Sequence, residues 1–257
     1  MAHLFPRIES ELLSLLGSLS PAEWQMPTVS PAWSVKDIAS HLLDGNLRRL
    51  SMARDGFYAE APRAGESLAA FINRINAEGV QTLRRLSPRL LIHLLDITGR
   101  EMSAYFQSLD PYAPAVWAVS WAGEEQSVNW FDIARDFTEK WHHQQQIRDA
   151  TGRSPPYEGY LAPVIDTFAR ALPFAYRDVA AAEETAVVLR VDDAAWSVVR
   201  EGSWQLFADE APNATTRVTL SGDRAWRLFT RQRIDPQAVI EGDARYAEPL
   251  LRMVSIV

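Results

Sequence analysis

The sequence has no cysteine. That excludes disulfides, cysteine-ligated zinc, iron–sulfur clusters and a cysteine nucleophile, so any metal site must use nitrogen and oxygen donors. Sulfur chemistry would need a thiol from outside the chain. Long apolar runs are also missing: no stretch approaches the roughly 18 residues of a membrane span. The opening MAHLFPRIES already carries Arg7 and Glu9 and has no apolar segment of the secretory kind, so a soluble, cytoplasmic protein is expected. Positive charge is in deficit, with 26 Lys plus Arg against 33 Asp plus Glu and a formal net charge of −7. With no Lys/Arg-rich run either, there is no electrostatic footprint for nucleic acid. What is present is an ordinary globular balance, 47% hydrophobic and 23% charged, which excludes a disordered chain. The nine Trp point to an aromatic-lined core or pocket.

The first two thirds of the chain have helical periodicity. Ile8, Leu12, Leu15, Leu16 and Leu19 mark a helix over 8–19. After a turn at Ser20–Trp24, Pro27 and Pro31 keep the chain extended. Ser34-Val35-Lys36-Asp37 reads as a capping box, in which each end satisfies the other's free N–H. It opens a helix running to about Arg54. Further helices are expected over about 66–86, 88–108, 127–150 and 158–180, the last kinked by Pro173. Residues 115–126 read as an irregular, Trp-rich loop over the bundle. The helix over 127–150 should stop at Gly152 and Pro155-Pro156. The period then changes. Thr185–Val191 is strand-like, and Trp196–Arg200, Glu201-Gly202 and Ser203–Phe207 read as a hairpin. A strand over 215–220, a helix from Ser221 to about Thr230, a short strand at 238–240 and a final helix around Leu250 complete the pattern. The 257 residues thus divide into a helical bundle, 1–182, and a smaller α+β domain, 183–257.

Of the five His, His3 lies near the terminus and His93, in LLIHLLDI, reads as a core or interface residue. The informative cluster is Glu139-Lys140-Trp141-His142-His143. Residues four apart share a helix face, so Glu139 and His143 can offer an oxygen and a nitrogen to one ion, with His142 a geometric rival. Asp136 lies seven residues from His143, about 10.5 Å along the axis, too far to share a metal. A third ligand must come from elsewhere, and His41, mid-helix on a well-capped apolar segment, is the best candidate. One carboxylate and two imidazoles with an open fourth position is the grouping of a catalytic zinc site. Asp37 reads as a cap, and Asp44 as an alternative acceptor for His41. Trp33, Trp141 and the Trp117/Trp121 pair are either pocket walls or core.

The stretch Leu19–Leu43 resembles the DinB-like four-helix metal-binding superfamily, in particular its mycothiol-dependent maleylpyruvate isomerase branch. Trp33-Ser34-Val35-Lys36-Asp37 with His41-Leu42 matches one signature, and Glu139, His143 and Ala150-Thr151-Gly152-Arg153 match the second. The resemblance implies an α plus α/β mix: a DinB-like four-helix bundle followed by a sterol-carrier-like α+β domain. It implies a divalent metal, zinc foremost, held by His41, Glu139 and His143. It also implies a low-molecular-weight thiol such as mycothiol as cosubstrate, and a C-terminal Arg near the substrate. Arg231 and Arg233 occupy that region, and Arg231 is taken as the catalytic candidate. The chain departs from the branch at Gln146, where members often carry Asp.

The expected function is a thiol-dependent isomerase or S-transferase acting on a small molecule. A metal-binding module without turnover and a metal-dependent hydrolase are the alternatives. Expected partners are the small-molecule substrate and a second copy of the chain as a homodimer, with no nucleic acid or membrane. The C-terminal domain is expected to dock at the mouth of the metal site.

Overall fold

The computed structural model describes residues 1–154, 159–232 and 234–256. By contact the chain divides into two compact units, Met1–Val116 with Val128–Pro156, and Trp117–Ser127 with Tyr157–Val257.

The first unit is helical: α1 (Phe5–Gly17), α2 (Val35–Arg49), α3 (Leu68–Leu83), α4 (Pro88–Ser108) and α5 (Asn129–Ala150). α2 packs on α3, α4 and α5, and α1 on α4 and α5. Leu12 and Leu16 of α1, Ile38 and Leu42 of α2, Leu91 and Leu95 of α4 and Ile147 of α5 meet in one apolar core. Fully burying each such side chain contributes about 1.5–3 kcal/mol. The starts follow the sequence: the Ser34, Ser67 and Ser87 side chains each accept from a backbone N–H in the first turn. α2 does not run regularly to Arg54. It passes at Leu50 into a π-helical turn over Leu50–Arg54. α5 stops at Ala150, and Gly152 (φ 65°) takes the left-handed conformation that releases the chain. Pro155 and Pro156 lie outside the described residues.

The second unit holds a five-stranded sheet: β1 (Ala186–Val191), β2 (Ala194–Glu201), β3 (Ser203–Phe207), β4 (Thr216–Leu220) and β5 (Val239–Gly242). The order is β3-β2-β1-β4-β5, with β1 antiparallel to β2 and parallel to β4. Its helices are α6 (Leu161–Ala169), α7 (Leu172–Tyr176), α8 (Gly222–Phe229) and α9 (Ala247–Leu251). Val187, Val188 and Leu189 of the central strand are buried, as are Trp226 and Phe229 of α8. Gly202 (φ 69°) makes the expected β2–β3 turn. A second hairpin, β1–β2, turns at Asp192 (φ 51°), where the sequence reading placed only one. The helix expected over 158–180 is two helices. Pro173 sits in the first turn of α7, where its missing N–H is harmless, and the helix breaks ahead of it. The start of the sheet coincides with the change of period near residue 183, while α6 and α7 group with the sheet.

Candidate metal centre

The site begins with the cap of α2. Ser34 Oγ accepts from the Asp37 N–H (3.3 Å), and Asp37 Oδ2 accepts from the Ser34 N–H (3.0 Å). Asp37 also receives the Arg84 guanidinium (2.7 Å). Just upstream, Trp33 and Thr28 are tied together: the Thr28 N–H and hydroxyl both donate to the Trp33 carbonyl (3.2 and 2.8 Å). This turn holds the Trp33 ring 4.8 Å from the His41 ring and 6.1 Å from that of His143.

α5 supplies the other side. His143 Nε2 lies 3.3 Å from Glu139 Oε2, and the His41 and His143 rings meet edge to face at 4.7 Å. One ligand atom from each of His41, Glu139 and His143 lies within 4.8 Å of the others. A tetrahedral ion with bonds of 2.0–2.1 Å sets its donors about 3.4 Å apart, so such a set can close on a divalent cation with small side-chain adjustments. His41 Nδ1 is buried and has no hydrogen-bond partner among the described residues, a state that favours a ligand in the site.

The electrostatics suit a cation. Burial holds His41 well below the ordinary imidazole range, helped by His143. His142 is pushed down to about 4 by burial and by His143. Both rings are therefore neutral near pH 7, the form in which imidazole binds a metal. Burial works against the charge on Glu139, but His142, His143 and His41 outweigh it and hold the carboxyl well below its usual range. The result is an anionic Glu139 oxygen beside the neutral imidazole of His41.

α5 is buried nearly all round although much of it is polar, which is stable only if those groups are paired. His143 Nδ1 lies 2.9 Å from Gln146 Oε1. Gln144 Nε2 donates to the Ile8 carbonyl (2.7 Å), and Gln145 Nε2 to the Trp141 carbonyl (3.2 Å). Lys140 pairs with Glu9 and donates to Asn46 Oδ1 (3.0 Å), and Asn46 donates to Thr98 Oγ1 (3.0 Å). Arg49 pairs with Asp132 (2.6 Å) and Asp136 (2.8 Å).

Of the residues singled out from sequence, His41, Glu139 and His143 come together. His142 does not join them: its Nδ1 faces the Thr138 carbonyl at 3.1 Å and lies 4.0 Å from Glu139. Asp136 is engaged with Arg49, and Asp44 with Arg48 (2.8 Å) rather than with His41. Trp141 is fully buried core. Trp117 and Trp121 belong to the second unit. His93 is exposed, because Leu91 and Leu95 on either side of it turn inward. Arg231 is exposed, in left-handed backbone (φ 61°) after α8, and Arg233 lies outside the described residues. Sequence reasoning missed Lys140, Glu9 and Asn46. A charged residue inside the α5 cluster and Glu9 at a core-facing position of α1 were the available signals.

Comparison with known proteins places residues 5–148 under the family model described as the mycothiol maleylpyruvate isomerase N-terminal domain. Among solved structures, the mycothiol-dependent maleylpyruvate isomerase aligns with a TM-score of 0.57 and 15% identity, over 93% of this chain and 91% of that one. A histidine-to-alanine mutant of that enzyme aligns with the same TM-score and coverage at 14% identity. No curated protein sequence matches.

Proposed function

Because the chain belongs to the mycothiol maleylpyruvate isomerase N-terminal domain family, we propose that it is a metal-dependent enzyme using a low-molecular-weight thiol, mycothiol foremost, in an isomerase or S-transferase reaction. His41, Glu139 and His143 would hold the ion, with zinc the first choice for a two-imidazole, one-carboxylate set. The carrying observation is the convergence of those three donors from two helices beside a buried imidazole nitrogen that has no partner among the described residues.

A divalent ion with three protein ligands supplies a positive charge that lowers the pKa of a thiol in its fourth position. The chain's own residues set that charge: Glu139 contributes −1 and the two neutral imidazoles nothing, leaving a net +1. Trp33 walls the centre on the His41 side. Because the chain has no cysteine, the sulfur nucleophile must be the cosubstrate. Its addition to an electrophilic carbon gives the S-transferase product. Addition to an alkene, rotation and elimination of the same thiol gives the other geometric isomer. Arg231 is proposed to meet the substrate. The proposal includes a cytoplasmic setting, and no described helix is long and apolar enough to cross a membrane.

The test is elemental analysis followed by turnover of a panel of electrophiles, with and without thiol, on metal-loaded protein. About one equivalent of metal, lost in His143→Ala, and turnover that saturates in thiol are expected. Turnover without thiol would replace this reading by hydrolysis. No turnover of any electrophile would leave a binding module.

A further inference from the structure

The three consecutive glutamines after His143 have three different tasks. Gln144 reaches the backbone of α1, and Gln145 bonds back within α5. Gln146, also buried, is the one whose side chain meets a residue of the centre: its Oε1 lies 2.9 Å from His143 Nδ1. The spacing explains this, since i and i+3 lie on one face of a helix. A side-chain carbonyl oxygen has no proton to give, so the hydrogen in this bond belongs to the imidazole. In the neutral ring that leaves Nε2 as the bare nitrogen, and Nε2 is the atom 3.3 Å from Glu139 Oε2.

We infer that Gln146 is the positioning residue of the centre, fixing His143 as its Nδ1–H tautomer so that the Nε2 lone pair faces the ion; this rests on the metal reading above. The partner of a metal-bound histidine is commonly a carboxylate, a backbone carbonyl or water. A carboxylate here would draw the Nδ1 proton and bring the site and its support to zero net charge. The amide holds the ring equally well but carries no charge, so the centre and its support keep the net +1. The chain therefore trades some imidazole basicity, and with it metal affinity, for a more electron-withdrawing ion. It has the geometry of a supported histidine without the extra negative charge.

The experiment uses the full chain and zinc alone as the probe. Zinc affinity is measured by competition with a chromogenic chelator for wild type, Gln146→Leu, Gln146→Glu and His143→Ala. In parallel, the ring nitrogens of His143 are observed by ¹⁵N NMR in metal-free protein, assigned by their loss in His143→Ala. Wild type should show a protonated Nδ1 and a bare Nε2. Gln146→Leu should weaken zinc binding about 10–100-fold and lose the single tautomer. Gln146→Glu, of the same length and with an acceptor oxygen, should restore the tautomer and bind zinc at least as tightly as wild type. A bare Nδ1 in wild type overturns the inference. So does a folded Gln146→Leu with unchanged affinity and tautomer. If Gln146→Leu fails to fold, the wild-type tautomer and tighter zinc binding by Gln146→Glu decide the matter. If His143→Ala binds zinc as wild type does, the metal reading fails by itself. The tautomer then rules on Gln146, which is overturned if the Nδ1 proton is absent or survives in Gln146→Leu.

Discussion

Lys140→Met should destabilise the helical unit strongly at neutral pH and much less in mild acid. Lys140 and Glu9 are both about 5% exposed and pair directly, and Lys140 also donates to Asn46 at 3.0 Å. Solvent cannot enter readily: a Cβ added at Gly99 would lie 2.8 Å from Glu9 Cδ, so α4 closes against the carboxylate. Methionine preserves the aliphatic stem and removes only the charge. The stranded carboxylate must then stay ionised in the core, at about 3–5 kcal/mol, or take up a proton. Holding a glutamate side chain protonated at pH 7, against an ordinary value near 4.3, costs about 3.7 kcal/mol, and this route caps the penalty. At pH 5 the same protonation costs about 1 kcal/mol. The folded variant binds a proton that its unfolded chain releases, so its deficit grows as pH rises above about 4.3. Urea unfolding followed by far-UV circular dichroism should therefore give a loss of about 3–4 kcal/mol at pH 7, reduced to about 1–2 at pH 5. Adding Glu9→Gln should recover most of the loss, because no charge is then left unpaired. A loss below about 1 kcal/mol at pH 7, or an equal loss at both pH values, would refute the argument that this pair is a buried ion pair.

Ser34→Ala removes one half of the α2 capping box and should cost about 1 kcal/mol by the same assay, with Ser34→Gly costing less. His142→Ala should keep its metal by elemental analysis while His143→Ala loses it, because His142 faces the Thr138 carbonyl. Burial raises Asp132, but Arg49 and Arg135 outweigh it and hold the carboxyl below its ordinary value. Its contribution to stability is thus full above about pH 4 and is lost as pH falls through its lower folded value, so Asp132→Asn should flatten the acid limb of an unfolding profile below pH 4.

Local rules carried much of this protein. The helix starts at Ser34, Ser67 and Ser87 follow from side chains that bond to the next turn, an interaction complete within four residues. The pairing of Glu139 with His143 follows from the 3.6-residue period, and the absence of sulfur ligands from composition. Each depends on neighbours in the chain, so the sequence by itself determined it. Tertiary structure decided what depends on distant partners. His41 reaches α5 only because α2 packs there. Glu9 pairs with Lys140 across 131 positions, with no local periodicity to announce it. The parallel match of β1 with β4 depends likewise on a crossover through β2 and β3. Gln146 shows both levels in one residue. Its place three after His143 could be read from the chain, but its task could not. A glutamine becomes the partner of an imidazole only when burial removes the water that would otherwise take its place.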